Sequence, residues 1–253
     1  MSNIFINTFH GLGSYVLYLQ EIGKFVFKKP FRRDLIFQQL EFIGNQSAGI
    51  IVMTGFFTGA VFALQIGGIF QIFRAESIMG AATAKALTRE LAPLMTAFLL
   101  AGRAGSAMTA EISTMKVNEQ IDAMEAMGVD PIGYLVMPRC VASLFMFPLL
   151  CGIFIFVGII GAYVTAVMVF DVDVGTFFER IKNMVVPRDI ASGLQKAAIF
   201  SVLISSICCR YGLHASGGAK GVGSATTNAV VVSLLAVLGV DVLVTYLQLR
   251  VLS

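Results

Sequence analysis

The sequence predicts an all-α, polytopic membrane protein: an interfacial amphipathic helix and basic cluster over residues 1–40, then five transmembrane helices within residues 41–253. Three observations predict it. Hydrophobic residues make up 57% of the chain and charged residues only 13%, against about 25% charged in soluble domains. The stretches Phe42 to Phe73, Val141 to Phe170 and Gly221 to Val240 carry no charged side chain, and each matches or exceeds the roughly 20 residues that cross a bilayer core as a helix. At the N-terminus an apolar stripe is followed by a run of basic residues.

The elements follow in chain order. Phe5, Phe9, Leu12, Val16, Leu19 and Val26 recur at helical steps, with Asn7, His10, Ser14, Glu21 and Lys24 between them. Lys24, Lys28, Lys29, Arg32 and Arg33 come next, a pattern suited to the headgroup layer of an anionic leaflet. No cleavable signal peptide is expected, and the first span would serve for insertion. That span runs from about Gln46 to Phe73 and contains Gly55 and Gly59 at a GxxxG step, which lets helix backbones approach closely. The second is harder to bound. Leu91 to Gly102 is charge-free but would form only about 18 Å of helix, so the segment is either re-entrant or starts near Ile78 and carries Lys85, Arg89 and Glu90 inside it. The second option is preferred. Charges inside a span face a cavity or a partner; the other choice puts them at the outer boundary of a span kinked at Pro93. The third span runs from about Val141 to Phe170, the fourth from about Ile190 to Cys209 with Lys196 near its start, and the fifth from about Ala225 to Leu249, burying Asp241.

With the N-terminus inside, ten Lys and Arg fall on cytoplasmic connections and five outside, leaving aside Lys85, Arg89 and Lys196. The positive-inside bias therefore favours a cytoplasmic N-terminus and a periplasmic C-terminus. It puts on the cytoplasmic side a polar insert holding Arg103, Glu111, Lys116, Glu119, Asp122, Glu125 and Asp130. Within it, residues 117–128 read as a short helix. Val117, Ile121, Met124 and Gly128 share one face, Glu119, Asp122 and Glu125 crowd another flank, and Gly128 and Pro131 end it. Its apolar face could press into a partner's groove and its acidic flank could meet a basic rim; otherwise it is a plain surface link. The four cysteines lie in or beside apolar spans without a CxxC pair, and the two histidines are far apart, so neither a disulfide nor a metal site is expected. P-loop, GxSxG and HExxH motifs are absent.

Five segments carry a resemblance. Ala101 to Glu111, Asn118 to Pro131 and Tyr134 to Arg139, together with Leu87 to Pro93 and Gly218 to Val232, resemble the signature of the MlaE-type permeases, the membrane subunits of MCE-associated lipid ABC transporters. The resemblance covers nearly the whole chain from about residue 35. It implies a homodimeric ABC-transporter permease in a bacterial inner membrane that moves lipid, phospholipid above all, between that membrane and the outer envelope. It implies a cytoplasmic ABC ATPase docked at a coupling helix near 117–128, through Val117, Glu119, Gln120, Ile121, Asp122, Met124 and Glu125. A periplasmic MCE-domain protein and a small STAS-domain subunit are the other partners it implies. ATP and Mg would sit on the separate ATPase, so this chain would hold no cofactor and be no enzyme, and no nucleic acid is expected. By motif position Arg89 and Glu90 become polar lipid-cavity residues, with Ile66, Ile69 and Phe73 as acyl-chain contacts. Many relatives carry basic residues where this chain has Ser224 and Asn228. Two rival functions stay open: an ion-coupled secondary carrier using Glu90 or Asp241, and a non-transporting membrane scaffold.

Overall fold

The computed structural model describes the backbone of residues 2–27 and 33–252 and the side chains of residues 13–25, 33–75 and 77–250. Lys28, Lys29 and Arg32 of the basic cluster, and the side chains of Phe5, Phe9, Leu12 and Val26, lie outside the described residues. Within them the chain is helical with short connections and no strand. Helix α1 is Ser2–Phe27 and α2 is Arg33–Ile72. Helix α3 is Met79–Val117, α4 is Gln120–Ala126 and α5 is Ile132–Phe170. Helix α6 is Val174–Met184, α7 is Pro187–Leu213 and α8 is Gly218–Leu252. Five of them, α2, α3, α5, α7 and α8, are long and apolar enough to cross a membrane.

The span ends differ from the sequence expectation in one consistent way. Helix α2 begins at Arg33, well before Gln46, because Leu35, Gln38, Gln39, Leu40 and Glu41 are helix formers with no breaker among them. Helix α3 neither re-enters nor stops near Gly102. It continues through Arg103, Glu111 and Lys116 as a 39-residue element, about 58 Å long at 1.5 Å per residue. Hydropathy marks the part of a helix in lipid, and these helices run on beyond it.

Two π-turns have a common cause. Leu87–Leu91 precedes Pro93 and Ile132–Val136 precedes Pro138. A proline ring clashes with the carbonyl four residues back, here those of Arg89 and Tyr134, and one extra residue in the turn relieves the clash. A third π-turn, Ala101–Gly105, ends at the Gly105–Ser106 pair.

Helices α2 and α5 meet at glycine. A Cβ on Gly59 would overlap the Gly158 carbonyl, and one on Gly161 would overlap the Phe56 carbonyl. The GxxxG step of Gly55 and Gly59 is therefore used within the chain, where it lets two backbones touch. Helix α7 approaches α3 in the same manner, with Gly193 against the Thr88 carbonyl. The central core, with Leu87, Leu100, Met108, Phe147, Phe154 and Phe200, joins α3, α5 and α7. A second cluster forms a base at the other end from α6, where Tyr18 and Ile22 of α1, Ile112 of α3, Ile121 of α4, Leu135 of α5 and Cys209 of α7 pack together. Helix α6 caps the opposite end, with Phe177 fully buried against Met79 and Val172.

Candidate functional site

Close packing of Gly193 on Thr88 brings the charged residues of three spans together. The Lys196 ammonium, 0% exposed, donates to Glu90 Oε2 and, at 2.7 Å, to Thr245 Oγ1. Asp241 Oδ1 stands 2.9 Å from Lys196 Nζ. At that distance the ammonium pairs with both carboxylates, one from α3 and one from α8. Burying a charge is costly unless it is paired, and here one buried ammonium is shared by two carboxylates. Glu90 is the open end of the cluster, its side chain 41% exposed.

A second group lies beside the first. Asp189 accepts the Val186 N–H at 3.2 Å at the start of α7. Its two oxygens draw Arg89 to 3.8 Å and Lys85 to 4.0 Å. Gln248 of α8 donates to the Ser192 carbonyl at 3.2 Å and holds α8 to α7 at this level. Glu90, Lys196 and Asp241 each lie about 14–17 Å along the helix from the end nearest α6, at 1.5 Å per residue. This is half of a roughly 30 Å hydrocarbon core.

The expected site residues are only partly gathered. Arg89 and Glu90 share the first π-turn of α3 but face different partners, Asp189 and Lys196. Ile66 packs apart from them in the cluster of Met79, Val172 and Phe177, while Ile69 on α2 and Phe73 just past its end are exposed. Lys196 is the residue that sequence reasoning left without a partner. With the helix ends of the structure, Glu90, Lys196 and Asp241 sit at nearly equal distances from the ends on one side, which the span ends expected from hydropathy did not show.

At the base, the helix expected over 117–128 is shorter than that. Val117 ends α3, Glu119 takes a left-handed conformation (φ 60°), and α4 holds only Gln120–Ala126. Lys116 pairs with Asp122 at 2.5 Å across this turn, and Gly128 leaves it with φ 76°. The apolar face is not open to a partner. Ile121 is 2% exposed and Met124 half-buried, both against α1, α3 and α5 of this chain. Exposed are Glu119, Gln120, Asp122, Glu125 and Met127. A hollow of about 520 Å³ beside α4 is lined in part by Lys116, Glu125, Asp130 and Leu213.

The family model described as Permease MlaE matches residues 36–247. The chain belongs to the MlaE permease family. A protein of Rickettsia felis named "Probable ABC transporter permease protein" is 40% identical over 240 residues, which is 95% of this chain and 93% of the relative. One of the same description from Synechocystis is 42% identical over 206 residues, covering 81% of this chain and 78% of its own. The Arabidopsis thaliana "Protein TRIGALACTOSYLDIACYLGLYCEROL 1, chloroplastic" is 37% identical over 204 residues, 81% of this chain and 58% of its own. This MlaE-family chain is thus a multi-pass membrane permease subunit of an ABC transporter.

Within this MlaE-family permease the recognisable block does structural work. Arg103 donates to the Phe42 carbonyl at 2.8 Å, to Ser47 Oγ at 3.0 Å and to Gln46 of α2, with its guanidinium over the Phe42 ring. Glu111 pairs with Arg139 at 2.7 Å, tying α3 to α5. Asp130 accepts the Ile132 N–H at 2.8 Å where α5 begins. Of the charged residues in the insert, Glu119 and Glu125 remain on the open face. Ser224 and Asn228 are exposed on α8, 3.5 Å apart.

Proposed function

We propose that this chain, paired with a second copy in a bacterial inner membrane, forms the membrane path of an ATP-driven phospholipid transporter. Its N-terminus is cytoplasmic and its C-terminus periplasmic. A cytoplasmic ABC ATPase docks on α4, a periplasmic MCE-domain protein passes lipid to or from the outer envelope, and a STAS-domain subunit completes the cytoplasmic side. The observation that carries the proposal is the Glu90–Lys196–Asp241 cluster, gathered from three membrane-length helices with Glu90 exposed. Charges inside a span are costly and mark a substrate path. A cluster of both signs, walled by apolar helices, suits an amphiphile whose headgroup is charged and whose chains are not. A relative is named for trigalactosyldiacylglycerol, a lipid that shares two acyl chains with a phospholipid and has an uncharged sugar headgroup.

The drive would enter at the base. ATP and Mg bind on the ATPase, whose movement pushes α4. Because Ile121 is embedded among α1, α3, α5 and α7, a push on α4 loads all four helices at once. Their shift would open the charged cluster to one side of the membrane and then the other, with Arg89, Glu90 and Lys196 exchanging partners with the headgroup, and Ile66, Ile69 and Phe73 meeting acyl chains.

The test is reconstitution of the chain with its ATPase and MCE partner in phosphatidylethanolamine–phosphatidylglycerol vesicles, following ATP-dependent transfer of labelled phospholipid. Wild type should transfer lipid, and Glu90→Lys should lose most transfer while still pairing with its second copy and binding the ATPase. Full transfer by Glu90→Lys would remove the cluster from the path. Flux that follows a proton gradient without nucleotide would replace this function with that of a carrier.

A further inference from the structure

A lined groove lies away from the charged cluster, between α1, α7 and α8. It measures about 500 Å³ and is walled by Leu203, Ile207, Val232 and Ala236. It adjoins a second hollow of about 430 Å³, with which it shares Tyr15 and Leu203 and which reaches Ala198 and Val240. Both are apolar along their length, and the polar groups gather at one end. There Arg210 and His214 line the mouth. The Arg210 guanidinium donates to Ser14 Oγ at 2.8 Å and lies over the rings of Tyr15 and Tyr18. Among the described residues no carboxylate pairs with it, in contrast to Arg89, Arg139 and Lys196.

Position along α7 gives the dimensions. Arg210 is within one turn of the helix end at Leu213, on the side of α4, which is headgroup level. From Arg210 to Ala198 is about 18 Å of helix, close to the depth of one leaflet of a roughly 30 Å core. A guanidinium has five donors in a fork that matches phosphate, and an aromatic floor leaves it flat and weakly hydrated.

We propose that this groove holds one anionic phospholipid of the leaflet on the α4 side, its phosphate on Arg210 and its acyl chain between α7 and α8, so that the lipid fastens α1 to the spans. This site goes beyond the transport path and is separate from it.

The full chain would be reconstituted in vesicles of equal phosphatidylglycerol and phosphatidylcholine, released into mild detergent and examined by native mass spectrometry. Wild type should retain phosphatidylglycerol over phosphatidylcholine by about tenfold, a difference of about 1.4 kcal/mol. Arg210→Gln should bring that preference close to one, Arg210→Lys should keep most of it, and Ala236→Phe should lose the adduct by filling the groove. Glu90→Lys should retain the adduct, which separates this lipid from cargo. An unchanged preference in Arg210→Gln, or an unchanged adduct in Ala236→Phe, would overturn the site. Loss of the adduct in Glu90→Lys would assign the lipid to the charged cluster instead. If Ala236→Phe weakens pairing of two copies and leaves lipid unaltered, the groove is covered by protein and the proposal fails.

Discussion

Lys196 is the residue on which most depends. It is fully buried, and it is the cation between two carboxylates from different helices. Replacing it with methionine would strand Asp241 and set two negative groups side by side. Removal of one partner from a buried pair costs about 3–5 kcal/mol, and the lower end applies here because Glu90 is partly open to its surroundings. Lys196→Met should therefore lower the unfolding free energy in a denaturant titration by about 3 kcal/mol. Adding Glu90→Gln and Asp241→Asn should restore most of it, because no charge is then left unpaired. If the single variant is as stable as wild type, the cluster contributes nothing to folding. Asp173 works at smaller scale. Its carboxylate accepts the Thr176 N–H at 2.9 Å and the Thr176 hydroxyl at 3.1 Å at the start of α6, and these bonds, the backbone one first, hold its pKa below the usual carboxylate range. A depressed value means that the cap is fully effective above the unfolded carboxyl pKa of about 3.9 and is lost as pH falls through the folded one. Amide exchange at Thr176 should be faster in Asp173→Ala than in wild type at neutral pH, and the two should converge in acid.

At the scale of elements, α4 separates two roles that the sequence merges. Its inner face holds the base together and its outer face is free. Ile121→Asp should then cost more than about 3 kcal/mol by burying an unpaired charge, and the chain should misfold before any docking is measured. Glu119→Lys with Glu125→Lys should leave stability within about 0.5 kcal/mol, yet lower co-purification of the ATPase by about tenfold, or 1.4 kcal/mol. Equal ATPase recovery would take those carboxylates out of the docking face. The same element marks what could be read in the chain alone. Five apolar spans and a short helix before Pro131 were legible, because hydropathy and breakers are local signals. That Val117 belongs to the preceding helix was not, since it depends on Glu119 adopting a left-handed turn closed by Lys116 and Asp122. Nor was the burial of Ile121 legible, because the face that fills it comes from α1, almost a hundred residues earlier. Arg89 and Glu90 were legible as charges within a span; their partners, Asp189 and Lys196 on α7, were not.

For the molecule as a whole, α8 stands out. It carries Asp241 into the cluster, yet its hydropathic window is the least covered of the five spans. Val231, Leu235, Leu238 and Val242 are exposed at steps of four, three and four, a spacing that packs helix against helix. If two copies meet there, Leu238→Cys should form an intermolecular disulfide in oxidised membranes, while Phe57→Cys on α2 should not. The four native cysteines are buried and free, so wild type serves as the uncrosslinked control. Equal crosslinking at both positions would place the pairing face elsewhere. The ties made by Arg103, Glu111 and Arg139 have a different kind of consequence. The longest stretch by which the family is recognised, between Ala101 and Arg139, is framework at the base, whereas the buried charges lie on other turns, Arg89 and Glu90 in the shorter recognised segment Leu87 to Pro93 and Lys196 and Asp241 outside all of them. Lys196 and Asp241 can therefore be exchanged without touching the framework stretch. Grafting the outer halves of α3, α7 and α8 from one such protein onto another should transfer the choice of lipid and leave the motor's attachment untouched.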